Sequence, residues 1–229
     1  DVNVPPVASV DEFLRRAPLV LIASGKPFQY PQPDWGVAVQ MFGPCVVEPA
    51  PDTAPDWLGS IERPIVLVTT SSGKQADANL VQTALAALAD EPVHVVATLP
   101  AGQPDGMTTP PNATVCRFVP HGVVLDRAVC AVTHGGMGAT QKALARGIPV
   151  CVVPFGRDQF EVARRVEVAR CGTRLPAKKL SPARLLAKVR EAMSMADGAR
   201  RVAAGFAATG GAARGADLFE QRVLGYSAT

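Results

Sequence analysis

From residue 65 onward, short β-rich apolar runs alternate with helix-length segments, and this alternation constrains the fold more than any other feature. Residues 65–70, 93–98, 114–118, 129–133 and 150–153 read as strands. Helices are expected over 76–89, 137–146, 158–170 and 182–195, with more helix to about Leu224. Parallel strands need a crossover of helical length, which packs back onto the sheet with a right-handed twist. The expected fold class is therefore α/β, a Rossmann-like doubly wound parallel sheet with helices on both faces. Alanine and valine dominate while aromatics make up only 5 %, a mix that suits helices on parallel strands rather than a β-sandwich. In such sheets ligands bind beyond the carboxyl ends of the strands, so the polar turns there are the places to search.

Upstream the pattern is broken. Residues 9–16 (SVDEFLRR) read as a short helix with a capping box, Ser9 with Glu12. Residues 19–23 and 37–42 are extended pieces separated by the proline-broken loop GKPFQYPQPDWG. The stretch PCVVEPAPDTAPD is a linker by composition. Three parts are expected: 1–43, a Pro-rich linker over 44–63, and a domain over 64–229.

A net charge of +3 is too small to argue for a nucleic-acid partner. The charge is uneven: residues 1–60 carry seven acidic and three basic side chains, and residues 178–229 carry nine basic and four acidic. Two readings stand, solvated helix faces or attraction to an acidic partner domain or an anionic membrane surface. The five cysteines (Cys45, Cys116, Cys130, Cys151, Cys171) include no CxxC pair, and an odd count suits reduced thiols and a cytoplasmic location. No apolar run reaches the roughly 18 residues of a membrane span, and no signal peptide opens the chain. Because it begins without methionine, a fragment or a processed product is expected. The three histidines (His94, His121, His134) show no ligand spacing, so no metal site is expected.

The densest signal is AVTHGGMGATQKALARGIPVCVVPFGRDQ, residues 131–159. A strand ends at His134, glycines follow, and a helix begins near Met137 or Gly138. Glycines let a ligand approach the backbone, and the free N–H groups at a helix start form an anion site. His134 and Thr140 are placed to donate to phosphate oxygens. The plain alternative is a tight strand-to-helix turn that binds nothing. At the end of the next strand, Asp158 and Gln159 suit the reading of vicinal sugar hydroxyls. Asp158 with Glu161 also has the form of a capping box that needs no ligand.

The run H-G-G-x-G-x-T-x-x-A-L-x-x-G-x-P followed by P-x-x-x-D-Q resembles the donor-binding signature of family 1 glycosyltransferases of the GT-B fold, which include plant secondary-metabolite and bacterial antibiotic and glycolipid enzymes. RFVPHGVVL (117–125) and GGAARGADLFE (210–220) look like further elements of that family, so the likeness covers roughly 64–220. The resemblance implies one half of a GT-B fold, the C-terminal nucleotide-sugar-binding half, with residues 1–43 a remnant of the N-terminal acceptor domain. It implies that Phe118 lies against the nucleotide base, Val119 binds the base edge through its main chain, and His121 stands near the ribose. His134, Gly135, Gly136, Gly138, Ala139, Thr140 and Ser72 would surround the diphosphate, and Asp158 and Gln159 the donor sugar.

By the same resemblance, the partners are a nucleotide-diphosphate sugar and the N-terminal acceptor domain, with peripheral membrane association as a further expectation. The implied reaction is transfer of a hexose, usually with inversion, from a UDP- or dTDP-sugar to an acceptor hydroxyl. No catalytic residue is expected in this chain, because the general base belongs to the other half. No cofactor is implied, and the chain alone is expected to transfer little or no sugar. Two departures matter. Ala139 stands where many members have Ser or Thr. Lys142 stands where UDP-binding members often have Glu, and lysine accepts no bonds from ribose hydroxyls. A dTDP-sugar donor, a degenerate scaffold that binds no donor, and a nucleotide-sugar epimerase of the same architecture stay open. A dinucleotide-binding dehydrogenase is excluded, since no G-x-G-x-x-G follows the 65–70 strand.

Overall fold

The computed structural model describes residues 6–31, 35–46, 54–73, 77–102 and 107–225. Parts of the expected linker (47–53) and of the turn after the first long strand (74–76) lie outside them. The described residues fall into two compact units, one drawn from residues 1–45 and 205–229 and the other from 46–204.

In the first unit, helix α1 (Val10–Arg15) precedes two short strands, β1 (Val20–Ile22) and β2 (Val39–Met41), which pair in parallel. The Ser9 hydroxyl accepts from the Glu12 N–H at 3.0 Å, as a capping box requires. The return bond differs: the Glu12 carboxylate accepts from Ala8 N–H at 2.7 Å rather than from Ser9.

The second unit holds the sheet. In chain order its elements are α2 (Asp56–Gly59), β3 (Ile65–Thr69), α3 (Ala78–Leu88), β4 (His94–Thr98), β5 (Ala113–Cys116), α4 (His121–Leu125), β6 (Ala128–Thr133), α5 (Met137–Ala145), β7 (Val150–Val152), α6 (Gln159–Val168), β8 (Gly172–Arg174), a 3-10 turn (Ala177–Lys179), α7 (Pro182–Met193) and α8 (Ala196–Ala207), whose last residues, from Gly205, belong to the first unit. The six strands are ordered β5-β4-β3-β6-β7-β8 and every pairing is parallel. The chain therefore steps outward from β3 to β5, then returns to lay β6 on the other side of β3. That reversal makes the β3/β6 boundary the switch point of a doubly wound sheet.

Burial follows the strand period of two. Val66, Val68, Val95, Ala97, Cys130, Val132 and Cys151 pack against Leu80, Val81, Ala84, Leu85 and Leu88 of α3 and Leu185, Val189 and Ala192 of α7. Ile65, Leu67, Val96, Ala131, Val150 and Val152 are equally buried and point to the face covered by α4, α5 and α6. Burial on both faces explains why these strands read as continuous apolar runs.

Three elements differ from expectation. Strand β8 has only three residues, Gly-Thr-Arg, too few for an apolar pattern; α4 is a single turn behind Pro120. The third strand of the sheet stops at Cys116, so Phe118 lies beyond it. The C-terminal end differs more. Helix α9 (Gly211–Phe219) and a π turn (Glu220–Leu224) belong with the N-terminal residues rather than with a 64–229 domain. Packing within the first unit accounts for this: at the end of α8, Phe206 meets Phe28 edge to face at 5.8 Å and a Cβ on Gly205 would lie 1.9 Å from the Lys26 carbonyl oxygen, and in α9 a Cβ on Gly215 would lie 3.0 Å from the Phe42 ring.

Among the described residues no helix is long and apolar enough to cross a membrane, and no three His, Cys, Asp or Glu side chains cluster as metal ligands would. Cys130, Cys151 and Cys171 are free thiols buried in the core.

Candidate functional site

A cleft of about 320 Å³ opens at the switch point. Thr69, Thr70, Ser71 and Ser72 line it from the end of β3, and His134, Gly136, Gly138, Ala139 and Lys142 from the end of β6 and the start of α5. Pro100 and His121 close it from the β4 and β5 side.

The β6 side is built around a glycine turn. Gly135 has φ +94°, a region that disfavours side chains, and a Cβ there would approach Val152 Cγ1 and Gln159 Cβ to 3.0 Å. The turn is pinned from below by Thr133, whose Oγ1 accepts Gly135 N–H at 3.1 Å and lies 3.2 Å from Thr140 Oγ1. Gly136 caps α5 without a side-chain bond, and the helix ladder starts only where Thr140 N–H reaches Gly136 O at 3.1 Å. The amides of Met137, Gly138 and Ala139 precede that ladder and carry the positive end of the helix dipole.

His134 stands over this turn. Its Nε2 lies 2.6 Å from where a Gly136 Cβ would be, so a side chain at 136 would displace the ring. The side chain is 9 % exposed, and Nδ1 is buried without a hydrogen-bond partner. Burial holds the imidazole below its ordinary value, against the pull of Asp77, the Thr69 carbonyl and Asp158.

The β3 side is fixed by Asp77. Its carboxylate accepts Ser71 N–H at 2.7 Å, and Ser71 Oγ accepts Gly73 N–H at 3.1 Å. Asp77 occupies the N-cap of α3 yet makes no cap bond, and it is only 4 % exposed. Sequence reading missed it. The available signal was an acid at a helix start beside the serine turn, which looks like any N-cap.

Several expected site residues converge in this cleft: Ser72, His134, Gly136, Gly138, Ala139 and His121. His121 Nε2 lies 3.1 Å from Thr98 Oγ1, which orients the ring. Gly135 sits behind the lining, where it serves the turn. Thr140 is corrected: its side chain is fully buried on Thr133, and its amide is spent on Gly136, so neither group faces the cleft.

The remaining residues flank the cleft at other strand ends. Phe118 is 63 % exposed in the β5–α4 loop, and the neighbouring Val119 side chain is buried. After β7, Gln159 is 2 % exposed, and its Oε1 accepts Phe155 N–H at 2.8 Å and Gly156 N–H at 3.1 Å. This amide oxygen therefore braces the loop that precedes α6. Asp158 is exposed at the N-cap of α6 and makes no cap bond, so the expected box with Glu161 does not form. Its α-helical φ of −72° and ψ of −7° depart from the extended backbone of a capping residue, and Glu161 pairs instead with Arg165 at 3.2 Å.

A larger open hollow, about 600 Å³, lies at the amino ends of the strands and is lined by Trp57, Arg63, His94 and Asn112 among others. It adjoins the carboxyl end of α3, where the helix dipole is negative.

Residues 82–214 match the model of a family described as erythromycin biosynthesis protein CIII-like, C-terminal domain. The chain is 36 % identical over 175 residues to the 4'-demethylrebeccamycin synthase of Lentzea aerocolonigenes, an alignment covering 75 % of this chain and 41 % of the synthase. It is also 36 % identical over 162 residues to a PGL/p-HBAD biosynthesis rhamnosyltransferase of Mycobacterium bovis (strain BCG / Pasteur 1173P2), covering 69 % of this chain and 35 % of that protein. Among solved structures, the calicheamicin glycosyltransferase CalG4 superposes with a TM-score of 0.76 at 26 % identity, covering 90 % of this chain and 53 % of that one. The chain thus spans about half or less of the length of the proteins it matches.

Proposed function

The chain belongs to the family of erythromycin biosynthesis protein CIII-like C-terminal domains of family 1 glycosyltransferases, and we propose that it binds the nucleotide-sugar donor of such an enzyme. The observation that carries this reading is the start of α5: uncapped amides and a glycine turn open on the switch-point cleft beside His134 and face the Ser71–Ser72 turn. Together they are suited to a diphosphate, because N–H donors and dipole neutralise negative charge without a metal. The base would lie toward Phe118 and His121, and the sugar toward Asp158, with Gln159 holding the loop that presents it.

In this reading the whole enzyme transfers a hexose with inversion to an acceptor hydroxyl. Stabilising the departing nucleoside diphosphate is this half's contribution, and an acceptor-binding half supplies the general base. Lys142 lines the cleft and offers donors only, which favours a dTDP-sugar over a donor whose ribose hydroxyls need an acceptor. A second reading, a module that no longer binds donor, draws on Ala139 and the buried Thr140, which leave the first turn of α5 without a hydroxyl in the cleft. Calorimetry with UDP, dTDP and GDP decides between them. Saturable binding of dTDP or UDP is expected, and no heat with any of the three would refute donor binding.

A further inference from the structure

Resting on the reading of this cleft as a diphosphate site, we propose that Asp77 is a positioning residue that makes donor binding take up a proton at His134. Thr69 and Thr133 are paired neighbours on β3 and β6, so the chain leaves both strands side by side, and Ser71 and His134 line the same cleft. Asp77 is tied to the first of these through Ser71 N–H at 2.7 Å, when an ordinary N-cap would serve its own helix. This carboxylate is 4 % exposed. Ser71, which this carboxylate holds, lines the cleft, so a diphosphate there brings a second anion toward Asp77, a repulsion that a new positive charge in the cleft relieves.

His134 is the group that can become that cation. Its ring lies over Gly136 with Nε2 toward the glycine turn, and Nδ1 is buried without a partner. Burial holds the imidazole below its ordinary value, while Asp77, the Thr69 carbonyl and Asp158 favour the charged form. A diphosphate arriving beside the ring adds a second anion to Asp77, and the two together favour the imidazolium. The other charged or titratable groups around the cleft are Lys142 from α5, His121 from α4 and Asp158 from the start of α6. The proton comes from solvent and no covalent bond changes.

The test is calorimetry of the whole chain with UDP-glucose and dTDP-glucose, whose diphosphates are esterified at both ends and do not titrate near neutrality. Titrations in buffers of different ionisation enthalpy give the protons taken up per donor bound. About 0.5 to 1 proton is expected near pH 7, with affinity falling by up to about tenfold per pH unit above it. Asp77→Asn removes the charge and should at least halve the uptake, while its affinity at about pH 8.5 equals or exceeds the parent's. Asp77→Ser, which keeps an oxygen for Ser71 N–H, serves if the asparagine variant does not fold. His134→Gln should abolish the uptake, and Asp158→Asn should keep most of it. The proposal is overturned if the parent binds donor without proton uptake, if both Asp77 variants keep it, or if only the Asp158 variant loses it. A uniform loss of affinity at every pH in the Asp77 variants would reduce Asp77 to a loop brace and overturn the proposal too. Absence of any donor binding by the parent is a separate result, which would refute the diphosphate reading itself.

Discussion

Replacing Gly138 with alanine should make the protein more stable and a poorer binder at once. Gly138 is the second residue of α5, and a Cβ built on it meets nothing within 4 Å. The fold therefore has no steric need for glycine there. Gly198, by contrast, lies in α8, and its Cβ would sit 1.7 Å from the Arg170 carbonyl oxygen. In a helix, Gly to Ala without strain stabilises by about 0.4–1 kcal/mol, largely by restricting the unfolded chain. For a chain of this size that corresponds to an unfolding midpoint raised by roughly 1–4 °C.

The same methyl group would project into the cleft that Gly138 lines. A phosphate oxygen that accepts a backbone N–H at about 2.9 Å would have to withdraw from the methyl carbon to ordinary van der Waals distance. Losing or stretching one charge-assisted bond of this kind removes about 1.5–3 kcal/mol, a roughly 10- to 100-fold weaker Kd. Thermal unfolding followed by calorimetric titration with dTDP and UDP reads both effects in one preparation. A Gly138→Ala protein that binds as tightly as the parent would refute the close backbone approach. One that unfolds earlier than the parent would refute the claim that the fold leaves this Cβ position open.

Gly198→Ala should act in the opposite sense, lowering stability by about 1–3 kcal/mol through forced overlap, as chemical denaturation would measure. Phe118→Ala should leave the unfolding midpoint within about 1 °C of the parent, since the ring is largely exposed, yet weaken nucleotide binding by roughly 1–3 kcal/mol if a base stacks there. Gln159→Ala frees the Phe155 and Gly156 amides at once, so a destabilisation of about 1–3 kcal/mol is expected. Its affinity for a nucleotide sugar should fall more than its affinity for the nucleotide alone, which paired titrations would reveal.

Much of this architecture is legible in residue order alone. The runs beginning at Ile65, His94, Ala128 and Val150 can be recognised because strands buried on both faces lose the polar alternation that otherwise blurs them. The glycine turn after Thr133 can be recognised because a positive φ at Gly135 disfavours a side chain and one at Gly136 would displace the His134 ring. Local chemistry of that kind is written residue by residue.

Other features are not local. Thr140 has the look of a phosphate ligand until packing turns its hydroxyl onto Thr133, and Gln159 that of a surface amide until the 155–156 loop closes over it. The Asp158 and Glu161 pair has the spacing of a capping box, but the backbone at Asp158 is helical and the box is absent. The C-terminal helix reads as continuous with the domain before it, and the packing of Gly215 against Phe42, like that of Phe206 at the end of α8 against Phe28, depends on residues far away along the chain. Periodicity and turn chemistry, which act over a few residues, were enough to specify the longer strands, the longer helices and the glycine turn. Which side chains face the cleft, and which buried carboxylate stands behind it, was decided only when β6 came to rest against β3, because burial and hydrogen-bond partnership depend on neighbours that sequence spacing does not reveal.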